Sequence, residues 1–416
     1  MDNNVHIMVF SIKCAGIFKD WIFMEMKYNL DYVRPKAQKE IEDASSVRRF
    51  KSGQLSYKVL HDAYVLPSDG SNQAGICTSD KQFISSSSFS GGEQRMVCFG
   101  EYKRIEATAI YVGCLYSVWG HAFLDNLRRL WFLLSEDGTQ FLKNKDVKLI
   151  YVNHFQSAPG ENFWKLVKRL GLPHERFEVV TEVTQFREII FPETSFCYAD
   201  NASFYEEHNS LIEKILEDVP DDNRFEKVYF SRACLRNQQW REYGEYKIER
   251  IFKELGFCIF CPEKLSLEDQ LLLMKNCKEF VAAEGSVAHN SIFCQQGTKV
   301  TILRKADYVN DYQLAINEMR SLDILYVDIH HSVPPFPISI SIGPFYLYIT
   351  KELRRLTGVH CLSCPYWLLP SYWWYIIRRL PWMEKYISNR KIIRRMEYAL
   401  WDKHMHSNDK IRTYRL

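Results

Sequence analysis

Two stretches of this 416-residue chain combine residue types and spacings that can do chemistry. In GHAFLDNLRRLW (120–131), His121 and Asp125 are four residues apart, so on a helix they share one face, where either could act as a general base. The same pair could instead satisfy the start of that helix as capping groups. The second stretch, EGSVAHN (284–290), is a Gly–Ser turn that runs into a predicted helix over 289–296. Unpaired N–H groups and the positive end of a helix dipole would suit a diphosphate there, with Glu284, Gly285, Ser286, His289 and Asn290 as the candidate residues. A Gly–Ser pair before a helix is also commonly only a turn. Arg232 ends the run KVYFSR, and Arg236 follows one short loop later. A guanidinium at either position can grip phosphate oxygens in bidentate fashion, the plainer alternative being a solvated charge.

Other chemistries have weaker support. No Asp-x-Asp pair occurs, which removes the usual carboxylate site for a metal–nucleotide complex. CIFC (258–261) and CLSC (361–364) have zinc-like internal spacing, but the first falls in a predicted buried strand and about a hundred residues part them, so buried thiols are the default. Neither a P-loop nor a GxGxxG fingerprint is present. A hydrolase using His121 or a cysteine stays open as an alternative, without a GxSxG elbow behind it.

The elements that must position these residues come into view from about residue 107. Apolar runs at 107–113, 147–154, 177–182 and 186–193 read as strands, with helices predicted over 120–136, 162–171 and near 205–217. After the polar break PDDNRFE (220–226) the alternation restarts, with strands at 227–232, 257–262, 279–285, 298–304 and 324–330. Helices over 245–256, 266–277, 289–296 and 308–321 separate them, Ser266 being a plausible N-cap with Asp269 three residues on. Apolar strands alternating with amphipathic helices predict parallel sheets covered on both faces. Residues 1–105 are weakly patterned; 5–26 is apolar with sparse charges and reads as a helix, and SSSSFSGG (85–92) as a loop.

Length and composition bound the rest. With 46% hydrophobic and 25% charged residues the chain is globular, and its length calls for two or three domains with cores of their own. The net charge of +3 hides two unlike parts: 334–416 holds 14 Lys+Arg and 5 Asp+Glu, net +9, leaving 40 and 46 before it, net −6. Five of the ten Trp also fall in 334–416, and the segment 366–401 mixes aromatics with paired arginines. Such a tail suits an anionic membrane surface, with a helical packing surface or oligomer contact as alternatives. The acidic body argues against nucleic acid. The long uncharged runs 332–350 and 356–377 contain prolines, which disfavours a straight spanning helix. MDNNVHIMVF lacks a basic n-region, so the reading is a cytoplasmic protein whose twelve cysteines are reduced.

Taken together, GHAFLDNLRRLW (120–131), VYFSR (228–232), FKELGFCIFCPEKLSLEDQ (252–270) and EFVAAEGSVAHNSIFCQQGTKVTIL (279–303) resemble glycosyltransferase family 61. They match its Gly-His-x-x-x-Asp-x-x-x-Arg motif, its Ser-Arg strand end, its Pro-Glu-x-Leu-Ser segment and its Gly-rich loop leading to Asn, in order over 107–304. The resemblance implies an α/β protein with two facing Rossmann-like domains of the GT-B type. The division would be an N-terminal region 1–106, an acceptor-side domain 107–222, a nucleotide-sugar domain 223–333 and a basic aromatic helical extension 334–416. It implies an inverting, metal-independent transfer from a nucleotide sugar to a surface-glycan or lipid-linked acceptor of the capsule, O-antigen or lipopolysaccharide type, with no cofactor. Arg232, Arg236 and 285–290 would bind the donor, His121 or Asp125 would deprotonate the acceptor, and Glu284 or His289 would lie near the sugar or ribose. Glu284 stands where many members carry His, which keeps a catalytically silent scaffold open as the alternative. Without a signal anchor, the chain resembles the bacterial members.

Overall fold

The computed structural model describes residues 8–11, 28–68, 74–89, 95–154, 157–235, 242–331 and 345–359, the first segment and Tyr243 by backbone alone. The chain divides into two compact units. Unit 1 comprises 1–26, 43–220 and 311–321; unit 2 comprises 27–42, 221–310 and 322–416.

The chain opens unit 1 with strand β1 (Met8–Ser11) and lends unit 2 the strand β2 (Tyr28–Tyr32). Unit 1 continues with β3 (Ser56–Leu66), β4 (Gly75–Cys77), β5 (Phe83–Ile84), β6 (Lys103–Leu115), β7 (Lys148–Asn153), β8 (Phe177–Val179) and β9 (Thr184–Pro192). A small antiparallel pair, β10 (Phe196–Cys197) and β11 (Ser203–Phe204), follows. Unit 2 then forms β12 (Lys227–Phe230), β13 (Glu242–Tyr243), β14 (Cys258–Phe260), β15 (Glu279–Ala283), β16 (Lys299–Arg304), β17 (Asp323–Asp328) and β18 (Phe345–Tyr346).

The unit 1 sheet runs β5-β4-β3-β9-β6-β7-β8, with β1 also pairing β3. Its patterned part, β9-β6-β7-β8, is parallel. The wing drawn from the weakly patterned first hundred residues is antiparallel. In unit 2 the order is β14-β12-β15-β16-β17-β2, parallel throughout. Continuous apolar runs such as FVAA in β15 are buried along their length, as strands covered on both faces must be. The helix Glu245–Glu254 seats Ile248, Ile251 and Phe252, at helical spacing, in the core that Tyr229, Val281 and Leu303 line. Burying each such side chain contributes about 1.5–3 kcal/mol. Ser266 caps the helix Leu267–Asn276, its Oγ accepting from the Asp269 N–H at 3.0 Å.

Four expectations are corrected. The single helix over 120–136 is instead a helix Trp119–Ala122, a succession of turns and a helix Trp131–Leu134. Residues 122–133 are buried all round, and Arg128 and Arg129 donate to carbonyls at 86–89 and Pro192, so the segment follows those partners rather than an amphipathic face. The helix over 289–296 is a six-residue 3₁₀ helix, Ala288–Phe293, with all six residues buried before the chain extends at Cys294. Within 5–26, residues 8–11 are a strand on β3 and the remainder lies outside the described residues. Finally, Cys234 and Cys261 form a disulfide: each follows one of the adjacent parallel strands β12 and β14, which brings their Cα atoms to 6.1 Å.

Among the described residues no helix is long and apolar enough to cross a membrane. The aromatic, basic segment 360–416 and Arg236 lie outside the described residues.

Candidate active site

In unit 1 the site begins where β6 ends. The Asn126 side chain accepts from the Tyr116 N–H at 3.0 Å and donates to the Tyr116 carbonyl at 2.8 Å, pinning the following turns to the strand end. The Asn126 N–H reaches back five residues to the His121 carbonyl, at 2.9 Å. His121 and Asp125 therefore meet without an α-helix beneath both: Nδ1 of His121 lies 2.6 Å from Oδ2 of Asp125. The Asp125 side chain is 1% exposed and that of His121 23%, so the carboxylate is sealed in and the imidazole reaches solvent. Asp125 is also engaged by the Tyr312 hydroxyl, whose pKa is raised by burial and then by Asp125 itself, which keeps the phenol a donor.

Aromatic rings frame His121, with centroids of Phe89, Tyr116 and Tyr312 at 5.1, 5.2 and 5.3 Å. A second imidazole, His154, stacks on Phe89 at 4.4 Å, its pKa lowered by burial and then by His121. Tyr198 stacks on Tyr312 at 4.5 Å with its ring exposed. His154, Tyr312 and Tyr198 were not singled out from the sequence. His154 had a signal, its place at the end of VKLIYVNH. Tyr312 had none, because its helix, Asp311–Met319, falls in sequence between strands β16 and β17 of unit 2.

Two pairs bear on hydrolase chemistry. Cys114 Sγ is 4.0 Å from His154, but burial pushes the thiol up to about 12, far from a nucleophilic thiolate. Ser195 Oγ lies 2.9 Å from His208 Nδ1, and both residues are fully buried. That serine is also 3.1 Å from the Arg128 carbonyl and His208 Nε2 is 3.0 Å from the Phe123 carbonyl, contacts that tie the turns together.

In unit 2 the parallel register aligns strand ends. Phe230 sits beside Ala282, Ala283 beside Leu303 and Arg304 beside Asp328, so Arg232, Glu284 and Lys305 emerge at one carboxyl edge. Glu284 is buried, its Oε2 without a hydrogen-bond partner among the described residues, and burial pushes its carboxyl up to about 7 against the pull of Arg304 and Lys305. Gly285 takes φ +116°, a conformation open to glycine. Arg232 donates its backbone N–H to Glu245 at 3.2 Å, and its Nε is 3.2 Å from Glu242 Oε2. Lys305 Nζ is 2.6 Å from the other oxygen of Glu242. The edge is tied at β2 as well: Asp328 accepts from Arg34 Nε at 2.8 Å and from Arg304 at 2.5 Å.

The structure thus brings His121 and Asp125 together in unit 1, and Arg232, Glu284 and Gly285 together in unit 2. Ser286 is partly exposed on the same loop. Asn290 and His289 are buried, Asn290 Nδ2 donating to the Val287 carbonyl at 2.9 Å and His289 Nε2 lying 3.0 Å from Asn310. Lys305 and Glu242 were missed, although Lys305 stands one residue beyond a strand that the apolar pattern marks. For metals, one group of three donor atoms lies within 4.8 Å among the described residues: Cys234, Cys261 and Glu263. Two of the three are the disulfide sulfurs, which leaves no thiolate pair there. Cys258 lies on β14 and Cys261 just past its end, and because Cys261 is bonded to Cys234 the two offer no thiolate pair to an ion.

Against known families, residues 119–301 match the model described as Glycosyltransferase 61. No curated protein matches the chain. Among solved structures, the dodecameric iron-containing heptosyltransferase TibC in complex with ADP-D-beta-D-heptose is similar over 69% of this chain and 83% of that one, at 10% identity and TM-score 0.27. The iron-containing dodecameric glycosyltransferase TibC from enterotoxigenic E. coli gives 71%, 84%, 11% and 0.27 in the same order. A TM-score of 0.27 supports no inference about this chain.

Proposed function

Because the chain is a glycosyltransferase of family 61 by its residues 119–301, we propose that it is an inverting, metal-independent transferase of the GT-B type. The donor is a nucleotide sugar and the acceptor a surface-glycan or lipid-linked hydroxyl. The observation that carries the reading is the His121–Asp125 pair, a solvent-reaching imidazole held at 2.6 Å by a sealed carboxylate. A carboxylate on Nδ1 fixes the tautomer, leaves Nε2 to accept a proton and stabilises the imidazolium that results. This assigns His121 as the base and Asp125 as the residue that orients it.

In the proposed step the acceptor oxygen attacks the anomeric carbon while His121 takes its proton. The bond from that carbon to the donor phosphate oxygen breaks, and the nucleoside diphosphate leaves with the electron pair. Unit 2 would stabilise that leaving group through Arg232 and the Gly285–Ser286 loop, with Glu284 beside it and Arg236 as a further candidate donor ligand. Side-chain cations, not a helix dipole, supply the charge here, since the turn at Ala288–Phe293 is too short to have a useful one. His289 and Asn290 would act by holding the loop's shape.

A thermal-shift screen across nucleotide sugars, with magnesium and with EDTA, identifies the donor through ligand-linked stabilisation. Sugar transfer should persist in EDTA. His121→Ala and Asp125→Asn should keep donor binding and lose about 10²–10⁴-fold in kcat, whereas Arg232→Ala should abolish donor binding. Donor affinity unchanged in Arg232→Ala would refute the donor site.

A further inference from the structure

At the carboxyl edge of the unit 2 sheet, two cations are buried within reach of one carboxylate. The side chains of Lys305, Arg232 and Glu242 are 4%, 10% and 3% exposed. Glu242 reaches Lys305 Nζ with one oxygen, at 2.6 Å, and Arg232 Nε with the other, at 3.2 Å. Taking two cations out of water is costly unless they are paired, and Glu242 is the carboxylate that contacts both.

The backbone fixes how Glu242 gets there. It lies on the two-residue strand β13, in register with Phe345 of β18, and Phe345 also stacks beneath Lys305, whose Nζ is 4.4 Å from the ring centroid. At Gly244, φ is +99° and a Cβ would meet the Leu347 carbonyl oxygen at 2.0 Å, so glycine permits this close approach.

Both cations also converge on Gly285. A Cβ on that residue would lie 3.4 Å from Lys305 Nζ and 3.8 Å from Arg232 NH1. The absent side chain therefore leaves the loop backbone open directly in front of an ammonium and a guanidinium. A carboxylate that presents one oxygen to each of two cations has the charge and the two-point geometry of a bridging phosphate group.

We propose that Lys305 is a second diphosphate-binding cation, acting with Arg232 across Gly285, and that Glu242 is a built-in stand-in that holds the pair until a diphosphate displaces it. The inference rests on the reading of unit 2 as the donor-binding unit. It adds a residue with no predicted role, and it makes Glu242 a competitor of the ligand instead of a ligand.

Calorimetric titration of the full chain with inorganic pyrophosphate and with orthophosphate tests it. Wild type should bind pyrophosphate at least tenfold more tightly than orthophosphate. Lys305→Met should weaken pyrophosphate at least tenfold and Lys305→Arg less than threefold. Glu242→Gln, which keeps the shape and removes the competing charge, should tighten pyrophosphate several-fold. Unchanged or weakened binding in Glu242→Gln, or Lys305→Met within twofold of wild type, would overturn the proposal. If Lys305→Met fails to fold by its melting curve, the sign of the Glu242→Gln effect decides. Pyrophosphate binding as described without transfer from any nucleotide sugar would fault the proposed activity and leave this site standing. Sugar transfer with pyrophosphate affinity indifferent to both variants would do the reverse.

Discussion

Two buried residues, one in each unit, respond to pH in opposite senses. Burial pulls His208 down to about 4 from its ordinary 6.5, so the unfolded chain binds its proton first. The stability held by the neutral ring is present above about 6.5 and lost as pH falls towards 4, on the order of 3 kcal/mol. Glu284, pushed up to about 7 from 4.5, works the other way: the folded state holds the proton, and stability is lost as pH rises from about 4.5 to 7. Urea melts between pH 4 and 8 should therefore show His208→Gln flattening the acid loss and Glu284→Gln flattening the loss towards neutrality. An acid limb of unchanged slope in His208→Gln would count against the first assignment. Tyr312 poses a kinetic question at the same scale. Its hydroxyl engages Asp125, so Tyr312→Phe should lower kcat about tenfold at constant donor KM. Combined with Asp125→Asn it should cost nothing further, because both changes remove one interaction.

At the scale of elements, two glycines at positive φ separate positioning from stability. A methyl at Gly285 would come into ordinary contact with the flexible ends of Lys305 and Arg232, taking up the space in front of them, whereas one at Gly244 would strike the Leu347 backbone. Gly285→Ala should therefore cost about 1–2 kcal/mol in a chemical melt yet lose at least tenfold in nucleotide affinity. Gly244→Ala should cost about 3 kcal/mol or more, since neither backbone can give way cheaply. Equal melting losses in the two variants would contradict this division. The turns at 123–130 carry a related lesson. An irregular, fully buried segment stays in place because its arginines and Asn126 satisfy backbone carbonyls on neighbouring strands and loops, where a regular helix would leave those carbonyls unpaired.

For the whole molecule, the charge division remains informative. The segment 334–416 has net +9 and the residues before it net −6, so the C-terminal part is where attraction to an anionic surface is expected. We expect the full chain to float with vesicles containing anionic lipid at low salt, and a chain ending at residue 359 to stay behind. Flotation of the shortened chain would sink the membrane assignment to 360–416, and a peripheral place on the inner face of a cell membrane would go with it.

Local pattern alone determined much of this protein. Continuous apolar runs alternating with amphipathic helices located β6, β7, β12 and β14–β17, because burial on both faces of a parallel strand leaves a mark in every residue. Ordered motifs picked out His121, Asp125, Arg232 and Glu284, since chemistry at strand ends reads as polar residues directly after apolar ones. Tertiary structure decided what depends on distant partners. The antiparallel wing from the first hundred residues, the strand β2 that residues 28–32 give to unit 2, and the placing of Tyr312 in unit 1 all join segments far apart in sequence. So do the Cys234–Cys261 bond and the bridge from Glu242 to Lys305, 63 residues apart. No window of sequence contains both halves of such pairs, and their geometry exists once the sheets have closed.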